Sequence, residues 1–245
     1  MKIFFCGLML ITNFVAISAQ QDSIYIEAKI SENKRQITVR QEITYHNHSE
    51  SNLEQLKLFN WIAAYKTRNT SLVYRKLQDR KSDLHFAKPN ELGSLEDLDL
   101  QIEGKPIAGI DGSRENIFVP LSTPLAPGKK VKITLNYQLN LPSQKFTGYG
   151  SDGKKVALKY FFLVPDGFDN HNQIQRNFID IEENENPGSY WRVNLNIPIN
   201  HYSQSNLPEI QHNYFEGKLV NDPELLISEN SFPTITTTIE GQKIT

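Results

Sequence analysis

The sequence predicts an all-β protein, an antiparallel saddle-like sheet or β-sandwich with a smaller second sheet and at most one short helix. Residues 131–141 carry apolar side chains at every second position, as a strand with one buried and one solvated face does. The same alternation recurs in short segments separated by turn residues roughly every ten positions. Helical spacing is confined to residues 71–83.

The first half of the chain predicts a hairpin, a third strand and the helix. Residues 24–30 and 37–45 alternate on either side of a turn at 31–34, which predicts the hairpin. Gln41 falls on the apolar face, which predicts a bulge or a position near an edge. Residues 53–61 indicate a strand that leads into an irregular segment, and Ser71 is placed to cap the helix.

The second half predicts further strands and one break. Residues 98–102 lead through Glu103-Gly104-Lys105-Pro106 into a second hairpin, and residues 117–121 form a strand that the turn at 124–129 closes. Residues 156–164 are almost continuously apolar, which predicts one central strand covered on both faces. Residues 165–190 are rich in Asp, Asn, Gly and Pro, a candidate boundary within a domain that spans 20–245. Short strands near 193–197, 214–215, 225–227 and 235–239 follow.

Residues 1–19 have the features of a secretory signal peptide. Lys2 supplies the charge, residues 3–17 form the apolar run, and Ser18 and Ala19 are small. We expect cleavage after Ala19, or after Ser18 because Ile17 is unfavourable three residues before the first cut. The run is shorter than the roughly 20 residues of a spanning helix. The sequence therefore predicts a periplasmic or extracellular protein, free of the membrane after cleavage.

The composition of the mature chain excludes several classes of site. Cys6 is the only cysteine and leaves with the signal, so no disulfide and no cysteine-ligated metal is expected. The mature chain carries 25 basic and 28 acidic residues without a clustered basic surface, which argues against nucleic-acid binding. Residues 234–240 predict a last strand and 241–245 the start of its return, which is expected of the front part of a longer protein.

His46-Asn47-His48 is the first candidate site. On a strand, His46 and His48 point to the same face, as two metal ligands would. No third His, Asp or Glu is placed by the sequence to complete the set, and the segment also reads as a strand entering a polar turn. We favour the second interpretation.

An acidic segment is the second candidate site. Its oxygen-bearing side chains could hold calcium, although their spacing is not that of a helix-loop-helix calcium loop; they are Asp180, Glu182, Glu183, Asn184, Glu185 and Asn186. A solvated acidic turn is the favoured interpretation. Residues 166–170, Asp-Gly-Phe-Asp-Asn, carry the same ambiguity with a stronger turn signal.

A basic stretch completes the candidates, and it predicts an exposed helix face with acidic neighbours. The basic residues are Lys66, Arg68, Arg75, Lys76, Arg80 and Lys81, and the acidic ones are Glu91, Glu96, Asp97 and Asp99. Neither a nucleophile elbow nor a phosphate-binding loop occurs. No catalytic, cofactor-binding or metal-ligating residue is assigned.

Several segments in colinear order resemble a known family. They are Ile-Thr-Tyr-His-Asn-His-Ser at 43–49, Leu-Phe-Asn-Trp-Ile-Ala-Ala-Tyr-Lys at 58–66, Phe-Ala-Lys at 86–88, Val-Pro-Leu and Pro-Leu-Ala-Pro-Gly within 119–128, Lys-Phe-Thr-Gly-Tyr-Gly at 145–150, and Tyr-Phe-Phe-Leu-Val-Pro at 160–165. Together they resemble the N-terminal β domain of secreted bacterial zinc metallopeptidases of the aminopeptidase N-like, or gluzincin, type. The resemblance runs from about residue 25 to the C-terminus.

The resemblance implies a saddle-like β domain that packs on a thermolysin-like catalytic domain and shapes the cleft for a peptide substrate. In that family the zinc signature His-Glu-x-x-His lies in the catalytic domain, and this sequence contains no His-Glu pair. The Gly-x-Met-Glu-Asn substrate motif is absent as well. The resemblance therefore implies a non-catalytic chain whose partner in cis would be the metallopeptidase domain.

Two other function classes remain open from the sequence. A free-standing secreted β-sandwich could bind a glycan or a protein through exposed aromatic residues such as Trp61, Tyr149 and Trp191. Core packing of these side chains is the favoured interpretation of all three. A self-sufficient hydrolase is the least favoured class, because no catalytic motif is present.

Overall fold

A computed structural model describes residues 21–166, 177–180 and 188–232, together with the backbone of two short strands near the C-terminus. The predicted signal peptide and most of the predicted boundary at 165–190 lie outside these residues. The strands are β1 Ser23–Ile30, β2 Gln36–His46, β3 Leu53–Phe59, β4 Ser94–Ile102, β5 Lys105–Pro106, β6 Asn116–Leu125, β7 Lys130–Asn140, β8 Gly150–Ser151, β9 Lys155–Leu158, β10 Val164–Pro165, β11 Ser189–Asn196, β12 Tyr202–Ser205, β13 Glu209–Gln211, β14 Tyr214–Leu219, β15 Leu225–Ser228, β16 Thr237–Ile239 and β17 Gln242–Ile244.

The strands form one large sheet and smaller ones, which confirms the predicted fold class. The large sheet has eight strands in the order β13-β14-β11-β1-β2-β7-β4-β5. A three-stranded sheet has the order β10-β3-β6, a four-stranded sheet has the order β12-β15-β9-β8, and β16 pairs with β17. All pairings between these strands are antiparallel except that of β1 with β11, which is parallel. Sequence alternation does not specify strand direction, and the two strands are far apart along the chain.

The helical content is small, as predicted. The α-helix α1 spans Ser71–Gln78, and 3₁₀ turns span Trp61–Tyr65 and Pro89–Glu91. The cap of α1 is Thr70 rather than Ser71, because the Thr70 hydroxyl accepts a hydrogen bond from the Val73 amide at 3.4 Å. Within the described part of the chain, no helix has the length and apolar character needed to cross a membrane.

The core consists of one continuous cluster that the period-two pattern predicts well. In β7, Leu135 and Tyr137 are 0% and 3% exposed, whereas Thr134 and Asn136 lie on the other face and are partly exposed. The alternating residues of β1, β2 and β11 bury the same face, and the 3₁₀ turn at Trp61–Tyr65 adds fully buried side chains. Burial of this apolar face is the main stabilising contribution to the fold.

The prediction of a single central strand at 156–164 is wrong, although its burial is confirmed. The segment forms two short strands, β9 and β10, in different sheets. Tyr160 between them has φ of 65°, a left-handed conformation that ends a strand. The continuous apolar run arises because the connection Phe161–Leu163 is itself buried, and periodicity does not distinguish a buried connection from a buried strand.

The predicted bulge or edge at Gln41 is also wrong. Gln41 is fully buried in β2, which pairs with β1 and β7 in continuous register. Its amide nitrogen donates to the Leu163 carbonyl at 2.6 Å, and its amide oxygen accepts from the Tyr137 hydroxyl at 2.6 Å. Gln41 therefore fastens the connection between β9 and β10 to the large sheet.

Replacing Gln41 by alanine is expected to lower the free energy of unfolding by about 2–3 kcal/mol, because a buried carbonyl and a buried hydroxyl lose their partner. Urea denaturation of the purified chain measures this. Thr38→Ala, at an exposed position of the same strand, is the control and should cost less than about 0.5 kcal/mol. Equal costs for the two variants would show that the hydrogen bonds of Gln41 contribute nothing net.

Candidate functional site

The predicted histidine pair meets a third residue, Asp22, at the start of β1. His46 Nδ1 and His48 Nε2 each lie 3.1 Å from the same oxygen, Asp22 Oδ1. The backbone amide of His46 donates to that oxygen at 2.8 Å. Asp22 is buried, with 8% of its side chain exposed, and the His48 side chain is 28% exposed.

This arrangement uses the ring nitrogens as hydrogen-bond donors to Asp22. Each ring nitrogen that faces the carboxylate carries a proton there and offers no lone pair to a metal on that side. Among the described residues, no group of three or more His, Cys, Asp or Glu has an arrangement that could hold a metal ion. The geometry supports a structural role, in which Asp22 ties the start of β1 to the end of β2.

Sequence reasoning missed Asp22, although one signal pointed to it. In the β1–β2 hairpin, Ser23 pairs with Thr44, so the residue before Ser23 reaches the level of Tyr45 and His46. Only the hairpin register gives this placement, because Asp22 and His46 are 24 positions apart in the chain.

A cavity of about 530 Å³ lies near this cluster, along β3. Tyr45, Phe118 and Pro165 form part of its wall, and Lys57 and Asp166 form an ion pair there. Burial, together with the charges of Asp22 and Asp166, raises the pKa of the Tyr45 hydroxyl well above its usual range. Tyr45 is therefore a neutral hydrogen-bonding group at any physiological pH.

The acidic candidate is only partly visible. Asp180 forms an ion pair with Lys76 of α1, so one of its oxygens is already in use. The other acidic residues, Glu182, Glu183 and Glu185, lie outside the described residues, and the calcium hypothesis stays a prediction. Asp166 is the one described residue of the second acidic candidate at 166–170.

The basic stretch is not the uniformly exposed helix face that the sequence predicts. Lys76 is only 7% exposed, and its partner is Asp180. Arg75 pairs with Asp79 one helical turn later, and Lys66 donates to the Ser113 carbonyl. None of these three residues pairs with the expected acids Glu91, Glu96, Asp97 or Asp99 in these contacts, and the partner of Lys76 is 104 positions away in the sequence.

The three candidate aromatic residues do not form an exposed platform. Trp61 and Trp191 are 3% and 1% exposed. Trp61 packs against Phe178 and Tyr160, with ring centroids 5.2 and 5.1 Å away. Tyr149 is partly exposed and meets Tyr160 edge-on at 6.4 Å. The core interpretation is thus confirmed for both tryptophans.

The structure is similar to solved structures of zinc metallopeptidases. An M1 zinc metallopeptidase from Deinococcus radiodurans, solved as a point mutant bound to a Tyr-Ser-Ala substrate, superposes with a TM-score of 0.50 at 9% identity, over 92% of this chain and 45% of that chain. A two-domain M1 zinc metallopeptidase mutant bound to L-tryptophan gives a TM-score of 0.49 at 9% identity, over 92% and 47%. No protein-family model and no curated protein matches the sequence.

The chain has the fold of part of an M1 zinc metallopeptidase. It spans less than half the length of the metallopeptidases it matches. The expected fold is thereby confirmed, and the M1 fold extends over nearly all of the chain.

One further buried group in this M1-like fold is a carboxyl with an unusual pKa. Asp222, in the connection between β14 and β15, is 2% exposed, and its Oδ1 has no hydrogen-bond partner. Burial raises the pKa of this carboxyl to about 7, although the positive charge of Lys159 opposes the rise. Lys159 itself bonds to Glu224 at 2.6 Å, which leaves Asp222 without a direct counter-ion among the described residues.

Proposed function

We propose that this chain is a non-catalytic β domain of a secreted, aminopeptidase N-like M1 zinc metallopeptidase. In this role it packs on a catalytic domain in cis and shapes the cleft that receives a peptide. The observation that carries the proposal is the fold match, which covers 92% of this chain but only 45% of the metallopeptidase. The absence of a His-Glu pair from the sequence supports the non-catalytic part.

The burial of side chains weakens the main alternative, a free-standing module that binds a glycan. Such a module needs an exposed aromatic platform, and Trp61 and Trp191 are buried in the core. The exposed large apolar side chains are Tyr74, Leu77, Phe86, Ile199, Tyr202, Ile210, Val220 and Leu226. A face on which such side chains lie together suits contact with another protein domain.

The outer face of the four-stranded sheet is one such surface. Leu226 in β15 is 42% exposed and pairs with Gln204 of β12 and Ala157 of β9. Tyr202, two residues before Gln204, is 48% exposed, and alternation places it on the same face. The opposite face of β15 is core, since Leu225 and Ile227 are almost fully buried.

The isolated chain is expected to self-associate and to bind an apolar dye, because this face lacks the domain that would cover it. Light scattering across a concentration series, with dye fluorescence in parallel, measures both. Leu226→Asp should reduce the association, whereas Thr38→Asp, at an exposed position of β2 in the large sheet, should leave it unchanged. A dye-silent monomer at high concentration would favour the free-standing module instead.

A further inference from the structure

A polar cavity of about 680 Å³ lies beside the first residues of β2 and β4 and the last residue of β7. Its volume is within the usual range for ligand pockets. Eight of its twelve wall residues have polar side chains, and none of the twelve is aromatic. All of them belong to the described part of the chain. The cavity therefore suits a polar ligand, and it offers a sugar no aromatic ring to stack on.

Three strands contribute one row of hydrogen-bonded side chains to the wall of this cavity. Gln36 of β2 and Ser94 of β4 both pair with Asn140 of β7. The Gln36 amide donates to Asn140 Oδ1 at 3.0 Å, and the Asn140 amide donates to the Ser94 hydroxyl at 3.0 Å. The Ser94 hydroxyl in turn donates to Glu96 Oε1 at 2.9 Å. These bonds fix the orientation of the polar groups before a ligand arrives, which lowers the entropic cost of binding.

Arg35, immediately before β2, brings a positive charge to the cavity. The residue is half-buried, and its guanidinium makes one long hydrogen bond, from Nη1 to the Asn90 carbonyl at 3.4 Å. Among the described residues it forms no ion pair with a carboxylate. A guanidinium binds a carboxylate through two parallel N–H donors. Arg35 therefore suits a carboxylate that a ligand brings to the cavity.

Lys66 is the second cation of the wall. Its ammonium donates to the Ser113 carbonyl. Its charge also acts on Glu115, outside the wall, where it opposes the rise in the pKa of that carboxyl that burial causes. Because Glu96 is the one acidic residue of the wall, two cations and one carboxylate leave the wall with one net positive charge. Electrostatic complementarity therefore favours a ligand with a single negative charge.

The row of side chains also offers acceptors to a ligand. Glu96 is exposed, and in the described part of the chain its one hydrogen-bond partner is the Ser94 hydroxyl. The Gln36 amide donates through its nitrogen, which leaves its oxygen as an acceptor. A ligand made only of anionic oxygens, such as sulfate, would be repelled by Glu96. A peptide C-terminus has both groups that this wall matches, a single carboxylate and backbone N–H donors.

The width of the sheet at the cavity sets the length of the ligand. β7 lies between β2 and β4, so two strand spacings, about 10 Å, separate Gln36 from Ser94. Arg35 directly precedes Gln36, and Glu96 is on the same face of β4 as Ser94, two residues further on. Three residues of extended chain span about 10 Å. A segment of about three residues therefore reaches from Arg35 to Glu96.

We propose that this cavity binds the C-terminal end of an extended peptide. The terminal carboxylate pairs with the guanidinium of Arg35, and the charge of Lys66 adds to the attraction. The amide N–H groups that precede the carboxylate donate to Gln36 Oε1 and to Glu96. The site does not depend on the proposed role beside a catalytic domain, because every group that it uses belongs to this chain.

Nuclear magnetic resonance titration of the ¹⁵N-labelled chain with the peptide acetyl-Ala-Gly-Ala, at millimolar concentration, tests the proposal. We expect saturable shifts at the amides of Arg35, Gln36 and Ser94. The same peptide with a C-terminal amide lacks the carboxylate and should bind at least tenfold more weakly. Shifts that do not saturate, or equal affinities for the two peptides, would overturn the proposal. Tighter binding of glucuronate than of acetyl-Ala-Gly-Ala would also overturn it, because the site would then be one for sugar acids.

Two arginine variants provide the matched comparison. Arg35→Gln should weaken the binding of acetyl-Ala-Gly-Ala at least tenfold and remove its advantage over the amidated peptide. Arg40→Gln, at an exposed position of β2 where the arginine pairs with Glu42 outside the cavity, should leave the affinity unchanged. An equal loss in the two variants would contradict the proposed contact with Arg35. The comparison of the two peptides uses the unsubstituted chain, so it decides the matter even if Arg35→Gln does not fold.

Discussion

Replacing Leu135 by alanine is expected to lower the free energy of unfolding by about 2–5 kcal/mol. Leu135 is fully buried in β7, the strand between β2 and β4, where it pairs with Gln41 on one side and Leu100 on the other. The truncation removes apolar contacts and leaves a cavity in the core, which the paired strands on both sides of β7 hold open. Chemical denaturation monitored by tryptophan fluorescence measures the loss.

The neighbouring residue supplies the control for this variant. Asn136 points to the other face, where its side chain donates to Asp99 at 3.2 Å in an exposed position. Asn136→Ala should therefore cost less than about 0.5 kcal/mol. If both variants cost the same, the assignment of the buried face of β7 is wrong.

Asp222→Asn is expected to raise the free energy of unfolding at neutral pH by on the order of 4 kcal/mol. The carboxyl has an ordinary pKa of 3.8, and burial raises the pKa to about 7 in the folded state. Between these values the folded state keeps a proton that the unfolded state has released. Stability from this group is therefore fully present below pH 3.8 and is lost as pH rises towards 7. An asparagine has no proton to lose and avoids the penalty.

Denaturation midpoints at several pH values between 4 and 8 test whether the stability contributed by Asp222 falls as pH rises. The difference between Asp222→Asn and the unsubstituted chain should grow with pH up to about 7 and then level off. Glu224→Gln is the control, because Glu224 is in the same connection but its side chain is 48% exposed and is paired with Lys159. A difference that is constant across the pH range would show that Asp222 does not titrate within it.

Local patterns in the sequence account for the parts of the fold that depend on one strand at a time. The alternation in β7 predicts which side chains of Leu135, Asn136 and Tyr137 are buried, since a strand with one buried face has a period of two. The short turn at 31–34 predicts the pairing of β1 with β2. Position and identity of these strands are thus readable without the structure.

Features that depend on pairing between residues far apart in the chain cannot be predicted from local sequence patterns. The parallel pairing of β1 with β11 joins segments on opposite sides of an Asp- and Asn-rich stretch. Gln41 is misread as an edge residue because its partners, Tyr137 and Leu163, are 96 and 122 positions away. A buried amide with distant partners produces the same sequence pattern as a bulge.

The candidate site also has one part that the sequence predicts and one part that it does not. The sequence places His46 and His48 on one face of a strand but cannot supply Asp22, whose position follows from hairpin register. This feature belongs to tertiary pairing rather than to any local motif.

Zinc content and peptidase activity, measured together on the purified chain, decide whether the chain is catalytic. We predict that the chain, incubated with zinc and then dialysed, retains no stoichiometric metal and does not hydrolyse aminoacyl substrates or the peptide Tyr-Ser-Ala. The reason is that the sequence lacks the His-Glu pair of the zinc signature and the described residues offer no three-ligand set. One tightly held zinc per chain, accompanied by release of the N-terminal amino acid, would show that the chain is itself a metallopeptidase.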